Sequence, residues 1–206
     1  FRRIRLTGGE PTIHPHFVSI CGSISSMYPE MDLSINTNGL HCRKLQLAVE
    51  EAQISRVVFG LDGFINGKDL SHHQSADKVT KAEKVLACIV NLKSRGIIPE
   101  VAAVYNSSRN DLFPLVQWSL KHEVDIKVIE QSRGICLENK SGEFENLVGV
   151  IVDQFDLKLG LDQRLNEVFG INRFGTKVRF FHSHCARLEC AECQDMHIRV
   201  NATGEV

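Results

Sequence analysis

No apolar run in the 206 residues approaches the ~20 that a membrane-spanning helix needs, and neither end carries a signal peptide or lipidation motif. The expectation is therefore a cytoplasmic protein with no membrane partner. An excess of one charge is also missing: 24 Lys and Arg stand against 25 Asp and Glu, a formal net charge of -1. No bulk attraction for nucleic acid follows from that balance, and any polyanion would need a local patch. A disulfide framework is absent from the pattern too. The seven cysteines are odd in number and unevenly placed, and Cys21, Cys42, Cys88 and Cys136 stand alone. The first three lie in apolar or helix-like contexts, where an unpaired cysteine serves as a small core residue. What remains is a chain with 43% hydrophobic residues, long enough to bury a core. It starts at Phe1 inside a strand pattern and stops at Val206 in mid-strand, so a fragment is expected.

The most informative segment is Arg5-Leu6-Thr7-Gly8-Gly9-Glu10-Pro11. Ile4 and Leu6 alternate with Arg3 and Arg5 as a half-buried strand would, and Gly8-Gly9 then let a backbone or ligand come close. Pro11 has no backbone donor and a fixed φ, which ends the strand and holds Glu10 at its mouth. An ammonium group is the natural partner of such a carboxylate. The plainer alternative is a Gly-Gly turn with a solvated glutamate.

Strands and helices alternate along the chain. Strands are expected at Arg3-Thr7, Asp32-Asn36, Arg56-Leu61, Val101-Val104 and Asp125-Ile129. Helices are expected at His16-Met27, Leu40-Ala52, Ala76-Arg95 and Asp111-His122. The long third helix carries Val79, Ala82, Leu86 and Val90 on one face and is capped by Gly96. Strands joined by helices imply an α/β fold with parallel pairing and right-handed crossovers. Glu10, Asn38, Asp62, Asn106 and Ser132 each follow the carboxyl end of a strand, where such sheets build their sites. After Arg133 the pattern changes to a polar stretch, an amphipathic helix around Phe144-Leu157, an irregular link and a strand at Val178-Phe181. That part reads as an appendage.

Cys185, Cys190 and Cys193 form C-x4-C-x2-C and look like a metal site. Zinc would suit a structural role, with His182, His184 and His197 close in sequence. The same spacing is the proximal one of plant-type ferredoxins, so an iron-sulfur cluster stands beside zinc and redox thiols.

Taken together, Leu6-Thr7-Gly8-Gly9-Glu10-Pro11, Thr37-Asn38-Gly39, Leu61-Asp62 and the cysteine-rich tail before His197-Ile198-Arg199-Val200-Asn201-Ala202-Thr203-Gly204 resemble the radical S-adenosylmethionine enzymes. Within them the chain is most similar to the GTP cyclases of molybdenum cofactor biosynthesis. The resemblance covers nearly the whole chain. It implies a partial (β/α)6 TIM-type barrel over 1–134, without its first strand and cluster loop, and a truncated extension over 135–206. The family's first [4Fe-4S] triad, C-x3-C-x2-C, does not occur in the sequence, so the piece alone is expected to be inactive. The resemblance also implies that Gly8, Gly9 and Glu10 hold the methionine end of S-adenosylmethionine, with Gly60 and Ser132 at the nucleoside. Arg5, Asn36 and Arg199 are its implied substrate contacts, and Cys190 and Cys193, with Cys185 as a competitor for the third position, its implied second-cluster ligands. Glu100 stands where the family has a lysine, a charge reversal expected to repel phosphate. The implied partners are a nucleotide or other small-molecule substrate and an electron donor such as flavodoxin or ferredoxin; a homodimer is compatible. Alternatives are a radical enzyme acting on a peptide or small metabolite, and a non-catalytic binding barrel.

Overall fold

The computed structural model describes residues 2–62, 64–65, 68–69, 78–105, 112–130, 141–162 and 167–181. Its elements in chain order are β1 (Arg3–Leu6), α1 (Phe17–Met27), β2 (Asp32–Thr37), α2 (Cys42–Glu51), β3 (Ile54–Gly60), β4 (Phe64–Ile65), β5 (Lys68–Asp69) and α3 (Lys78–Ser94). They continue with β6 (Ile98–Tyr105), α4 (Phe113–Lys121), β7 (Asp125–Glu130), α5 (Ser141–Gln154), β8 (Lys158–Asp162), β9 (Glu167–Ile171) and β10 (Lys177–Phe181). Each helix ends for a local reason. Gly96, at φ 85°, lets the Ile97 amide reach back to the Leu92 carbonyl and close α3. The same left-handed step closes α4 at Glu123 and α5 at Asp156, where no glycine marks it.

Eight strands form one open sheet in the order β1-β2-β3-β6-β7-β10-β9-β8, beside a separate β4-β5 pair. Pairing is parallel from β1 through β10 and antiparallel from β10 to β9 and β8. Because side chains alternate along a strand, register divides the sheet into two faces. Leu33, Ile35, Val57, Phe59, Val101, Ala103, Ile126, Val128, Val178 and Phe180 are all buried and form the core with the helices. Helix α1 packs on β2, α3 on β6 and α4 on β7. The other face carries three cross-strand rows: Arg5-Ser34-Arg56-Ile98, Asn36-Val58-Glu100-Asp125 and Gly60-Ala102-Lys127-Arg179. This inner face is the polar one.

Two expectations are corrected, and past the expected boundary at residues 134 and 135 β10 pairs parallel with β7 just as the earlier strands pair. The irregular link before it is the β8-β9 hairpin, whose Leu159 and Leu161 are exposed and give no buried-strand signal. The Phe169 ring lies against Gly160, where a Cβ would collide with it. Finally, the buried stripe of α3 runs through Ala82, Val85, Cys88, Ile89 and Leu92, while Val90 is 43% exposed. A strict i, i+4 series drifts about 40° per step around a helix with about 3.6 residues per turn, so the stripe alternates three- and four-residue steps.

Candidate functional site

Because β1, β2 and β3 are parallel, their carboxyl ends share one edge, and Glu10 sits at its centre. Its Oε1 accepts from the Thr12 amide at 3.1 Å, the Thr12 hydroxyl at 2.5 Å and the Thr37 hydroxyl at 2.7 Å. Its Oε2 accepts from the Asn38 amide at 2.6 Å. Burial alone would raise this carboxyl, but the donors from Asn38, Thr12 and Thr37 outweigh it and hold the group below its ordinary value. All the donors are neutral, so the carboxylate keeps its charge. A carboxylate offers about four lone-pair sites, so Oε2, with one donor, retains acceptor capacity.

The glycines differ in what they do. Gly8 is at φ 118°, and a Cβ on Gly8 or Gly9 would meet nothing within 4 Å, so the edge beside Glu10 is bare. Gly39, at φ 74°, is closely packed: a Cβ there would come to 2.8 Å from the Phe59 ring and 3.0 Å from Val85. Its amide donates to the Thr37 hydroxyl at 3.1 Å, and the Leu40 amide donates to Asn38 Oδ1 at 3.0 Å. The Thr37-Asn38-Gly39 turn is thus held against the core, and it presents the Asn38 amide to Glu10. Gly60 is exposed at the end of β3 with ordinary room around it. Asp62 Oδ1 accepts from the Val104 amide at 2.9 Å and ties the β3 end to β6.

Arg5 and Asn36 lie on the inner face below this edge. Arg5 is exposed, and Asn36 Oδ1 is buried with no hydrogen-bond partner among the described residues. A buried acceptor left open is an unmet hydrogen-bonding demand. Further down, Glu100 is 5% exposed; Arg56 Nη1 donates to its Oε2 at 3.0 Å, and Arg179 Nη2 pairs with its Oε1. The expected repulsion of phosphate is therefore corrected. Two guanidiniums neutralise this carboxylate, so Glu100 does not stand as an isolated negative charge.

Ser132, Cys185, Cys190, Cys193 and Arg199 lie outside the described residues, as do Asn106, Cys136, His182, His184 and His197. Among the described residues no group of three or more His, Cys, Asp or Glu side chains could hold a metal ion. The structure brings together Gly8, Gly9 and Glu10 at the edge and Arg5, Asn36 and Gly60 on the adjoining inner face. The sequence reading missed Thr12 and Thr37 as the clamps on Glu10, although a threonine two residues past an acidic cap was a usable signal. It also took Cys42 and Cys88 as unpaired core residues, whereas a disulfide joins them. Nothing in their spacing pointed to that.

No protein-family model matches the chain. The GTP 3',8-cyclase of Pseudomonas entomophila (strain L48) is 30% identical over 146 residues, 69% of this chain and 42% of that protein. The GTP 3',8-cyclase of Pseudomonas putida (strain KT2440) is 26% identical over 97% of this chain and 61% of its own length. GTP 3',8-cyclase 2 of Mycobacterium tuberculosis (strain H37Rv) is 29% identical over 62% of this chain and 35% of its own length. The chain therefore spans less than two thirds of these relatives. Among solved structures, Streptococcus suis SuiB bound to S-adenosylmethionine matches with a TM-score of 0.58 at 14% identity, covering 89% of this chain and 40% of that one. SuiB bound to precursor peptide SuiA matches with a TM-score of 0.59 at 14% identity, over 89% of this chain and 38% of that one. TYW1 with a lysine-pyruvate adduct bound gives 0.55 at 14%, over 79% and 53%. The resemblance read from the motifs is thus carried by homologues: the chain is a relative of the GTP 3',8-cyclases and shares the fold of SuiB, which has been solved with S-adenosylmethionine bound.

Proposed function

We propose that the chain is the S-adenosylmethionine-binding and substrate-facing part of a radical enzyme similar to GTP 3',8-cyclase, built as a partial (β/α)6 barrel. The observation that carries this reading is Glu10, a carboxylate satisfied only by neutral donors and set beside a bare Gly8-Gly9 edge. The residues fit the cofactor: Glu10 Oε2 offers an acceptor to its ammonium, and Gly8 and Gly9 leave its backbone room; Asn36, whose Oδ1 has no donor among the described residues, is left for the substrate. Held by Glu10, Gly8 and Gly9, S-adenosylmethionine would supply radical chemistry of the hydrogen-abstracting kind. Gly60 borders the nucleoside side of the edge, and Ser132 is assigned there by the family resemblance. Arg5, exposed on the face where Arg56 and Arg179 neutralise Glu100, favours an anionic substrate such as a nucleotide. Arg199 is assigned to substrate, and Cys185, Cys190 and Cys193 to a second [4Fe-4S] cluster, by the motif alone. A cytoplasmic setting and a flavodoxin- or ferredoxin-like electron donor belong to the same reading.

A peptide substrate is the second reading, favoured by the fold shared with SuiB, which was solved with its precursor peptide. Anaerobically reconstituted full-length protein is expected to cleave S-adenosylmethionine to deoxyadenosine, and with GTP to give a product of altered connectivity by mass analysis. Iron-loaded protein that leaves S-adenosylmethionine intact would sink the enzyme assignment. Cleavage without turnover of GTP would move the substrate to the second reading.

A further inference from the structure

Cys42 opens α2 and Cys88 lies within α3, and the disulfide between them spans 46 residues of sequence. Both cysteines line a cleft of about 570 Å³ together with Arg43, Lys44 and Lys84. Cys88 is 1% exposed while Cys42 is only partly buried, so an incoming thiol meets Cys42 first. One of these helices, α3, also abuts the turn that holds Glu10, and the other follows it in the chain. Val85, one turn before Cys88, abuts Gly39, and Gly39 lies between Cys42 and the Asn38 amide that donates to Glu10.

We propose that Cys42–Cys88 is a thiol-disulfide exchange site for a small dithiol reductant, and that reducing it loosens the Thr37-Asn38-Gly39 turn that clamps Glu10. In the first step a thiolate of the reductant bonds to Cys42 Sγ, the Sγ–Sγ bond breaks, and Cys88 leaves as a thiolate that takes up a proton. The reductant's second thiol then attacks the mixed disulfide, Cys42 is released as a thiol, and the reductant departs as its own disulfide. Two electrons pass to the protein, and no other reactant is needed. Arg43, Lys44 and Lys84 surround the cleft with positive charge, which favours both thiolates. The helices stay together afterwards, because Gln46 donates to Asn91 at 2.8 Å and Arg95 pairs with Glu50 at 2.8 Å further along. Loosening is therefore confined to the start of α2 and the turn before it. In a reducing compartment such a bond is transient and senses redox state.

The exchange step stands on the disulfide alone; its effect on ligand rests on the function proposed above. Full-chain protein is treated with dithiothreitol under anaerobic conditions, and cysteines are mapped by differential alkylation. After an acid quench, alkylation in denaturant is expected to label Cys42 and Cys88 together only in the reduced sample, while Cys21, a free thiol, is labelled with or without reductant. Amide exchange at Asn38 and Gly39 is expected to rise about tenfold on reduction, and a Cys42→Ser/Cys88→Ser variant to match the reduced protein without dithiothreitol. Should that variant not fold, reduced wild-type protein decides the matter. S-adenosylmethionine affinity is expected to fall about fivefold on reduction. Labelling of both cysteines before reductant is added, or unchanged exchange at Asn38 and Gly39, would overturn the proposal. Equal affinity in both states would overturn its link to the ligand. No S-adenosylmethionine binding in either state, with exchange still responding, would instead count against the proposed function.

Discussion

Glu10 accepts only from hydroxyls and amides, whereas Glu100, on the same sheet, lies between the guanidiniums of Arg56 and Arg179. Both carboxylates are hydrogen-bonded, yet the consequences are opposite. Donors without formal charge stabilise the ionised Glu10 and leave its negative charge for whatever arrives at the bare edge. Arginines cancel the charge of Glu100. The proposed amino acid cofactor needs the first arrangement, and the proposed anionic substrate needs the second, in which no bare carboxylate opposes it.

Replacing Glu100 by Ala should have the larger effect on the fold. It leaves two arginines facing each other without their carboxylate; loss of one partner from a buried ion pair costs about 3–5 kcal/mol, and partial exposure of Arg56 and Arg179 brings that to about 2–3 kcal/mol. Urea denaturation reads the loss. Chemistry at the distant edge should be altered only through stability, so a stable Glu100→Ala protein that no longer binds S-adenosylmethionine would break the comparison. Glu10→Gln should do the reverse. An amide cannot satisfy both the three donors at Oε1 and the Asn38 amide at Oε2 without turning an N–H towards one of them, which costs about 1–2 kcal/mol. Cofactor affinity should fall at least tenfold because the charge is gone. Unchanged affinity in Glu10→Gln would return Glu10 to a purely structural clamp.

How much of this was legible in the sequence depends on distance along the chain. The edge at Gly8-Gly9-Glu10 and the alternation of strands and helices could be read, because alternation, glycine and proline are local signals. The Thr37-Asn38-Gly39 turn was seen, but not that its hydroxyl and amide converge on Glu10, since that depends on β1 and β2 lying side by side. The Glu100-Arg179 pair reaches over β7 to β10, and the strand supplying Arg179 was read as part of an appendage. The left-handed residues Glu123 and Asp156 carried no glycine to announce them, and Cys42 and Cys88 no motif to pair them. Local chemistry could be read from residue types; partners supplied by topology could not.

The smallest effect reads Glu10 by itself, through proton linkage. Despite burial, the Asn38, Thr12 and Thr37 donors hold the Glu10 carboxyl below its ordinary value in the folded protein, so the folded state binds that proton less readily than the unfolded chain. Its contribution to stability is therefore fully present above about pH 4.5 and is lost as pH falls through the lower folded value. Glu10→Gln has no such proton. The stability difference between wild type and Glu10→Gln, measured by urea titration at a series of pH values, should be constant at neutral pH and close below pH 4.5, with Glu100 present in both proteins and cancelling. A difference that stayed constant down to pH 3 would mean that Thr12, Thr37 and Asn38 do not favour the charged form, and the edge would then lack the negative charge on which cation selection depends.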